Sequence, residues 1–457
     1  MSPTDDEFAA PIDEINGPSP AGVAESPETA PATFGTAAPA PTSHPIGFWF
    51  FFWGELAERC SYYGMRAILA LYMADRLGFS EENANTAIHT FIAACYLLPL
   101  LGGWVADRFL GKYWTIVGFS IPYILGHVIL GVENIIFLLL ALGLLAMGSG
   151  VIKPNISTLM GMTYDQQRPG QEKLRSDAFA MFYGAINIGA AVSSFAMPEI
   201  RSRYGYQLAF LFPAGLMVVA FFIFAMGKRF YAVETISRRE KTPEERDSQR
   251  LVLARISGLF AIVILYWSVQ DQSASTWTFF ARDYLDLHLF GATLKPDSIQ
   301  GVNPVLIVIL LPLITLFWHY LDRRGIKLRP TDKMMIGFLL AILTMGIMST
   351  AGYLATKDAK VSVLWEIAAY IVVTTAEACI SVVGLELAFT AAPAHMKSFV
   401  TACWLLTIFA GNVIAMPVTR LYASMSPGPY FTLWTFIMLA VTVAFVFVAR
   451  RFNRQVT

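Results

Sequence analysis

Residues 47 to 73 read GFWFFFWGELAERCSYYGMRAILALYM, an apolar run interrupted in its middle by Glu55, Glu58, Arg59 and Arg66. As a helix it is long enough to cross about 30 Å of hydrocarbon. At a step of about 100 degrees per residue, Glu55, Glu58, Arg59, Tyr62 and Arg66 fall within an arc of roughly 100 degrees. Two acids and two bases therefore share one stripe of an otherwise apolar helix. Each charge at mid-bilayer depth costs about 2.5 to 3.5 kcal/mol on insertion scales, so such a stripe needs a reason. Gluing helices together takes one satisfied pair, whereas several titratable groups of both signs can exchange partners when a proton arrives.

Outward from this stretch the same apolar character continues. The chain of 457 residues is 56% hydrophobic and 14% charged, with a mean hydropathy of +0.54, more apolar surface than a soluble core can hide. Spans are expected at 47 to 73, 83 to 106, 111 to 131, 134 to 162, 173 to 200, 207 to 227, 252 to 279, 301 to 321, 332 to 355, 362 to 391, 398 to 420 and 428 to 450. Lipid offers no partner to an unpaired backbone group, and the runs are too long and continuous for barrel strands, so all should be helical. The expected class is an all-α membrane protein of twelve transmembrane helices. The polar stretch Lys228 to Gln249 divides them into two six-helix bundles. Asp107, Arg108 and Gly111 close the second span as Asp322, Arg323 and Gly325 close the eighth, an echo that points to two related halves and a major-facilitator fold.

The expected domains are thus a cytoplasmic acidic tail (1–45), an N-terminal bundle (46–230), a linker (231–251) and a C-terminal bundle (252–457). The tail holds nine of the 24 prolines, seven acids and no Lys or Arg, and lacks the pattern of a signal peptide, so disorder is expected there. If the chain starts in the cytoplasm, 22 Lys/Arg fall in inner loops and the C-terminus, 8 in outer loops and 3 within spans, accounting for all 33. That bias places both termini inside a plasma membrane. Cys60, Cys95, Cys379 and Cys403 show neither metal-ligand nor disulfide spacing and read as packing residues.

Other polar residues lie deep in the spans. Lys153 follows the small residues Gly148, Ser149 and Gly150 and precedes Pro154, and an ammonium there should seek a carboxylate, with Glu55 and Glu58 the natural candidates. Asp271 lies in YWSVQDQSASTW and Glu377 in TTAEACISVVGLE, both among small or polar neighbours. A bridge from Arg66 to Asp271 would join the halves and close the outer side. His89, in IHTFIAACY, titrates in the physiological range and is a candidate proton site, while His127 reads as structural. Tyr62, Tyr63, Tyr96, Tyr183, Trp277, Trp404, Asn187 and Asn303 complete the candidates near the charged helices.

At this point the residues match a known pattern. Glu55-Leu-Ala-Glu58-Arg59-Cys-Ser-Tyr62-Tyr63-Gly64 resembles the ExxERFxYYG signature of the proton-dependent oligopeptide transporter family. GGWVADRFLGKYWTI (102–116), GSGVIKPN (148–155), FAMFYGAINIG (179–189), QGVNP from Gln300, EACISVVGLELAFTAAP from Glu377 and CWLLT from Cys403 also resemble that family, in order, over nearly everything from 46 to 450. The resemblance implies the major-facilitator fold and proton-driven symport of di- and tripeptides. It implies proton coupling by Glu55, Glu58, Arg59 and Lys153, with His89 and Asp271 as further proton sites, and an outer gate of Arg66 and Asp271. It implies that Arg66 and Lys153 take the peptide carboxylate and that Glu377, Asn187 and Asn303 take the amino end, with Tyr62, Tyr63, Tyr96 and Trp404 as walls. Cys60 stands where the family usually has Phe and Ala190 where Ser is common. The linker is too short for the extra helix pair between the halves that many bacterial members insert.

A zwitterionic peptide suits such opposed poles. The expected partners are short peptides, protons and the lipid bilayer, with no cofactor, no nucleic acid and no obligate protein partner. A second reading keeps the fold but makes the chain a peptide sensor or scaffold without flux. An enzyme is not expected, because paired metal ligands, GxSxG and a phosphate-cradling loop are all missing from the sequence.

Overall fold

The computed structural model describes residues 43–234, 243–390 and 397–456. The expected tail therefore lies outside the described residues up to 42, as does the linker over 235–242. His44 belongs to the fold, stacking on Phe48 and lying 2.5 Å from the Tyr164 hydroxyl.

The architecture is helical because the apolar runs can satisfy their backbone groups only internally. Helix α1 (Ile46–Asp75) carries the charged stripe. Helix α2 (Glu81–Val105) starts on Ser80, whose hydroxyl accepts the Asn83 N–H, with Glu81 and Glu82 favouring its positive end. A π turn, Ala106–Leu110, then holds Asp107 and Arg108 and ends at Gly111, whose φ of 76° suits glycine alone. Helices α3 (Lys112–Leu130) and α4 (Ile135–Gln167) follow. The expected spans 173 to 200 and 207 to 227 lie in one run, α5 (Glu172–Met226), that breaks its helical backbone at Gly205, where φ is 80°.

The expected span 252 to 279 is broken: α6 (Pro243–Gln270) gives way to a 3-10 turn, Asp271–Ala274, before α7 (Thr276–Tyr284). Four two-residue strands lie beyond it. β1 (Leu285–Asp286) pairs in parallel with β4 (Val361–Ser362), and β2 (His288–Leu289) pairs antiparallel with β3 (Ala292–Thr293). Helices α8 (Val302–Arg323), α9 (Pro330–Leu354) and α10 (Leu364–Glu377) come next, then a π turn, Ala378–Val382, and α11 (Val383–Thr390), α12 (Lys397–Thr419) and α13 (Pro427–Val456). Among the described residues nine helical runs are long and apolar enough to cross a membrane; α1, with its five charged residues, is not one of them.

Glycines set the closest helix contacts. A Cβ at Gly148 would lie 2.3 Å from the Tyr123 Cβ, and one at Gly102 would lie 2.7 Å from the Val151 Cα, so α4 sits directly against α3 and α2. Likewise a Cβ at Gly189 would meet the Leu56 carbonyl at 2.9 Å, which locks α5 to α1. The outer surface stays apolar: Ile136, Leu139, Phe222, Leu316 and Phe447 are all more than half exposed.

Candidate functional site

On α1 the spacing of four residues brings Glu55 under Arg59, with the Arg59 Nε 3.1 Å from the Glu55 Oε1, and the same nitrogen also pairs with Glu58. All three side chains are buried. Two carboxylates thus share one guanidinium, whose face also lies over Tyr62 at 5.5 Å. When both acids are ionised the cluster carries a surplus negative charge, and it must be met by another cation or by a proton. Lys153 on α4 is the cation within electrostatic reach of both acids. It makes no ion pair with either acid among the described residues. Its Nζ instead sits 4.9 Å from the centre of the Tyr96 ring, so the expected direct pairing is not formed here.

A cavity of about 130 Å³ opens where α1 and α5 face α8 and α10. Tyr63 and Arg66 line it from α1, Tyr183 and Asn187 from α5, and Asn303 and Glu377 from the opposite side. Glu377 ends α10, immediately before the π turn. One of its oxygens, Oε2, accepts from the Gln270 Nε2 at 3.0 Å and from the Asn303 Nδ2 at 3.1 Å. Two amides therefore fix the carboxyl group while leaving its other oxygen free of them. A guanidinium and a carboxyl group of this kind, on opposite walls of one cavity, can orient a ligand with charged ends.

Asp271 opens the 3-10 turn between α6 and α7, so both acids of the later helices sit where regular helix breaks. Asp271 is not bridged to Arg66 in this structure, although the two charges interact at longer range. It accepts a hydrogen bond of 2.6 Å from the Asn412 Nδ2. With its nitrogen so committed, Asn412 presents Oδ1 to the His89 Nδ1 at 2.8 Å, which makes Nδ1 the protonated nitrogen. The His89 Nε2, 3.1 Å from the Ser275 Oγ, then accepts from that hydroxyl in the neutral ring or donates to it in the charged one. His89 from α2 is thereby joined through Asn412 to Asp271.

A family model described as the POT family matches residues 113–241 and 232–432. The chain belongs to the POT family. Among similar POT-family and related proteins, rat solute carrier family 15 member 1 is 31% identical over 361 residues, covering 65% of this chain and 50% of the relative. Peptide transporter family 1 of Drosophila melanogaster is 34% identical over 361 residues, covering 68% and 48%. The chain spans about half the length of these relatives. Among solved structures, the POT family transporter PepTSo superimposes with a TM-score of 0.80 at 26% identity, covering 90% of this chain and 99% of that one. A mutant peptide transporter POT in complex with alafosfalin gives 0.82 at 25%, covering 90% and 96%.

Within this POT-family chain, three of the four expected wall residues face elsewhere. Tyr62 is buried, with its ring stacked on Phe91 at 6.0 Å, and Trp404 is buried edge-on to Phe260 at 5.7 Å and over Gly384. Both serve packing because an aromatic's helical position fixes its side of the helix but not which neighbour fills that side. Tyr96 faces Lys153 and does not border the cavity that Arg66 and Glu377 share. Asn187, its amide donated to the Tyr183 carbonyl at 3.0 Å, does border it. Sequence reasoning missed Asn412, Ser275 and Gln270. An Asn inside the apolar run of α12 was the available signal for the first. His127, expected to be structural, is buried with its Nε2 2.8 Å from the Ser61 hydroxyl, which donates to the Pro213 carbonyl.

Proposed function

We propose that this chain is a proton-coupled symporter that imports di- and tripeptides by alternating access. The observation that carries the reading is the single cavity bounded by Arg66 and Asn187 on one side and Asn303 and Glu377 on the other. A peptide's carboxylate faces Arg66 there and its ammonium faces Glu377, so one ligand draws both walls together. Family membership and the likeness to a Drosophila melanogaster peptide transporter favour peptides as cargo.

The proposed architecture is twelve spans in two bundles of six. Nine runs qualify by length and composition; α1, the second half of α5 beyond Gly205, and the α6–α7 run supply three more. The excess of Lys and Arg in alternate loops orients both termini inward in a plasma membrane. In that orientation the described ion pairs that join α1–α5 to the later helices all lie at the outer end: Arg201 to Asp297 at 3.1 Å, Arg282 to Glu81 at 2.6 Å and to Asp75 at 4.0 Å, and Arg420 to Glu82 at 3.6 Å. On this reading these pairs fasten the outer end, and the proposed outer gate of Arg66 and Asp271, unbridged here, would add to them when it forms.

In the cycle we propose, a proton entering from outside reaches the His89, Asn412 and Asp271 chain, and the surplus charge of Glu55, Glu58 and Arg59 is neutralised by a proton or by Lys153. Each net charge carried inward gains about 2.3 kcal/mol per 100 mV of membrane potential. The test is uptake of labelled dialanine into liposomes, with and without an inward proton gradient and an inside-negative potential. Accumulation driven by the gradient and competed by di- and tripeptides, but not by alanine, is expected. Peptide binding without flux would replace this reading with the sensor.

A further inference from the structure

We propose that the end of the molecule where α2 meets α3 and α5 terminates holds a site for the headgroup of an anionic phospholipid. The site is a cavity of about 740 Å³, remote from the one lined by Arg66 and Glu377. Lys228 and Arg229 line it, directly after the last turn of α5, with Tyr113, Trp114, Tyr231 and Glu234. Both cations are exposed, and neither makes an ion pair among the described residues. The Lys228 Nζ lies 4.3 Å from the centre of the Trp114 ring and 5.0 Å from that of Tyr113, while the Arg229 guanidinium lies over Phe230 at 4.6 Å. The aromatic rings hold these cations in place and leave their N–H groups available to an anion.

The one acid in the wall does not compete for them. Glu234 caps α3, its two oxygens accepting the backbone N–H groups of Lys112 at 2.6 Å and Tyr113 at 2.9 Å. Lys112 spends its ammonium on Asp107 at 2.9 Å. Tyr231, which also lines the cavity, is almost fully buried and stacked on Phe51 at 4.4 Å, so the wall behind the two cations is fixed. Two cations with no ion pair among the described residues, held by aromatic rings, form a binding set for a phosphodiester.

A lipid suits this set better than a free anion because the cavity opens onto an apolar face. Met226, which lines it, and Trp114 are each more than half exposed, and Phe222 lies one turn before Met226 on α5. Tryptophan beside cations at the end of apolar helices is the composition of a headgroup layer. A phosphate placed on Lys228 and Arg229 would leave its acyl chains along Phe222 and Met226.

The experiment is native mass spectrometry of the full chain, released from mixed micelles of phosphatidylglycerol and phosphatidylcholine, with thermal unfolding in parallel. Wild type should retain phosphatidylglycerol with a roughly thirtyfold preference, the scale expected for two cations at a membrane surface. In the exposed pair Lys228→Gln/Arg229→Gln that preference should fall to about threefold or less, while the charge-matched pair Arg323→Gln/Lys327→Gln on the other half should keep it. Equal retention of the two lipids by wild type, or equal loss in both double variants, overturns the proposal. A matching thermal shift with inorganic phosphate alone would assign the site to a soluble anion and also overturn it. None of these outcomes depends on which solute the central cavity carries.

Discussion

Arg59 carries one charge against the two of Glu55 and Glu58, and this imbalance is the ground for the proton coupling proposed at the first helix. Glu55→Gln removes the surplus charge permanently, and Lys153→Ala removes the other cation that acts on it among the described residues. Either change is expected to abolish accumulation driven by a proton gradient while sparing counterflow exchange of labelled peptide in liposomes; gradient-driven uptake surviving both would dismiss the coupling role. Asn412 is the residue on which His89 and Asp271 depend. Asn412→Ala leaves both without their shared partner, a loss of about 1 to 3 kcal/mol for each orphaned group. The expected result is a lowered Tm together with a displaced pH profile of uptake; a purely structural asparagine would lower the Tm and leave the profile in place. The stripe on α1 was legible in the sequence because charge inside an apolar run is conspicuous and helical spacing alone aligns it. The partnership of His89 with Asn412 was not, since 323 residues separate them and only packing of α2 against α12 brings them together.

At the scale of elements, the helices of the N-terminal half divide into two tightly joined sets. Gly102 and Gly148 press α4 against α2 and α3, and Gly189 presses α5 against α1. Lys153 is therefore carried on a helix packed against α2 and α3, and Glu55 on one packed against α5. Gly102→Val or Gly189→Val should overpack these contacts at a cost of about 1 to 3 kcal/mol, seen as a fall in detergent Tm, whereas Gly143→Val, at a glycine with open space around it, should leave the Tm unchanged. The apolar runs announced where the helices lie because lipid requires long ones. They hid the breaks at Asp271 and after Glu377, since a 3-10 or π turn keeps the composition of the helix it interrupts. The wall residues were legible only in part: Arg66, Asn187, Asn303 and Glu377 reach one cavity, while Tyr62 and Trp404 are spent on packing.

For the whole molecule, the balance between open and closed ends rests on charge. Asp297 is fully buried opposite Arg201, which donates to it at 3.1 Å and also reaches the Tyr206 hydroxyl, itself bound to Asp75 at 3.0 Å. Asp297→Asn should shift the population toward the outward-open form by about tenfold or more, because it strands a largely buried guanidinium. Arg282→Gln, at a partly exposed cluster, should shift it by about threefold. Spin labels at Asn83→Cys and Ser424→Cys would report both as a growing fraction of long distances, and an unchanged distribution in Asp297→Asn would remove the pair from the fastening. The exposures of these pairs also set an order of events. Arg420 with Glu82 faces solvent, Arg282 with Glu81 less so, and Arg201 with Asp297 hardly at all. Ions screen exposed charges within about 10 Å at 0.1 M and barely touch buried ones. Salt in the surrounding water therefore loosens the rim near α2 and α12 and leaves intact the anchor between α5 and the turn that precedes α8, so this end frays from its free edge toward its lock.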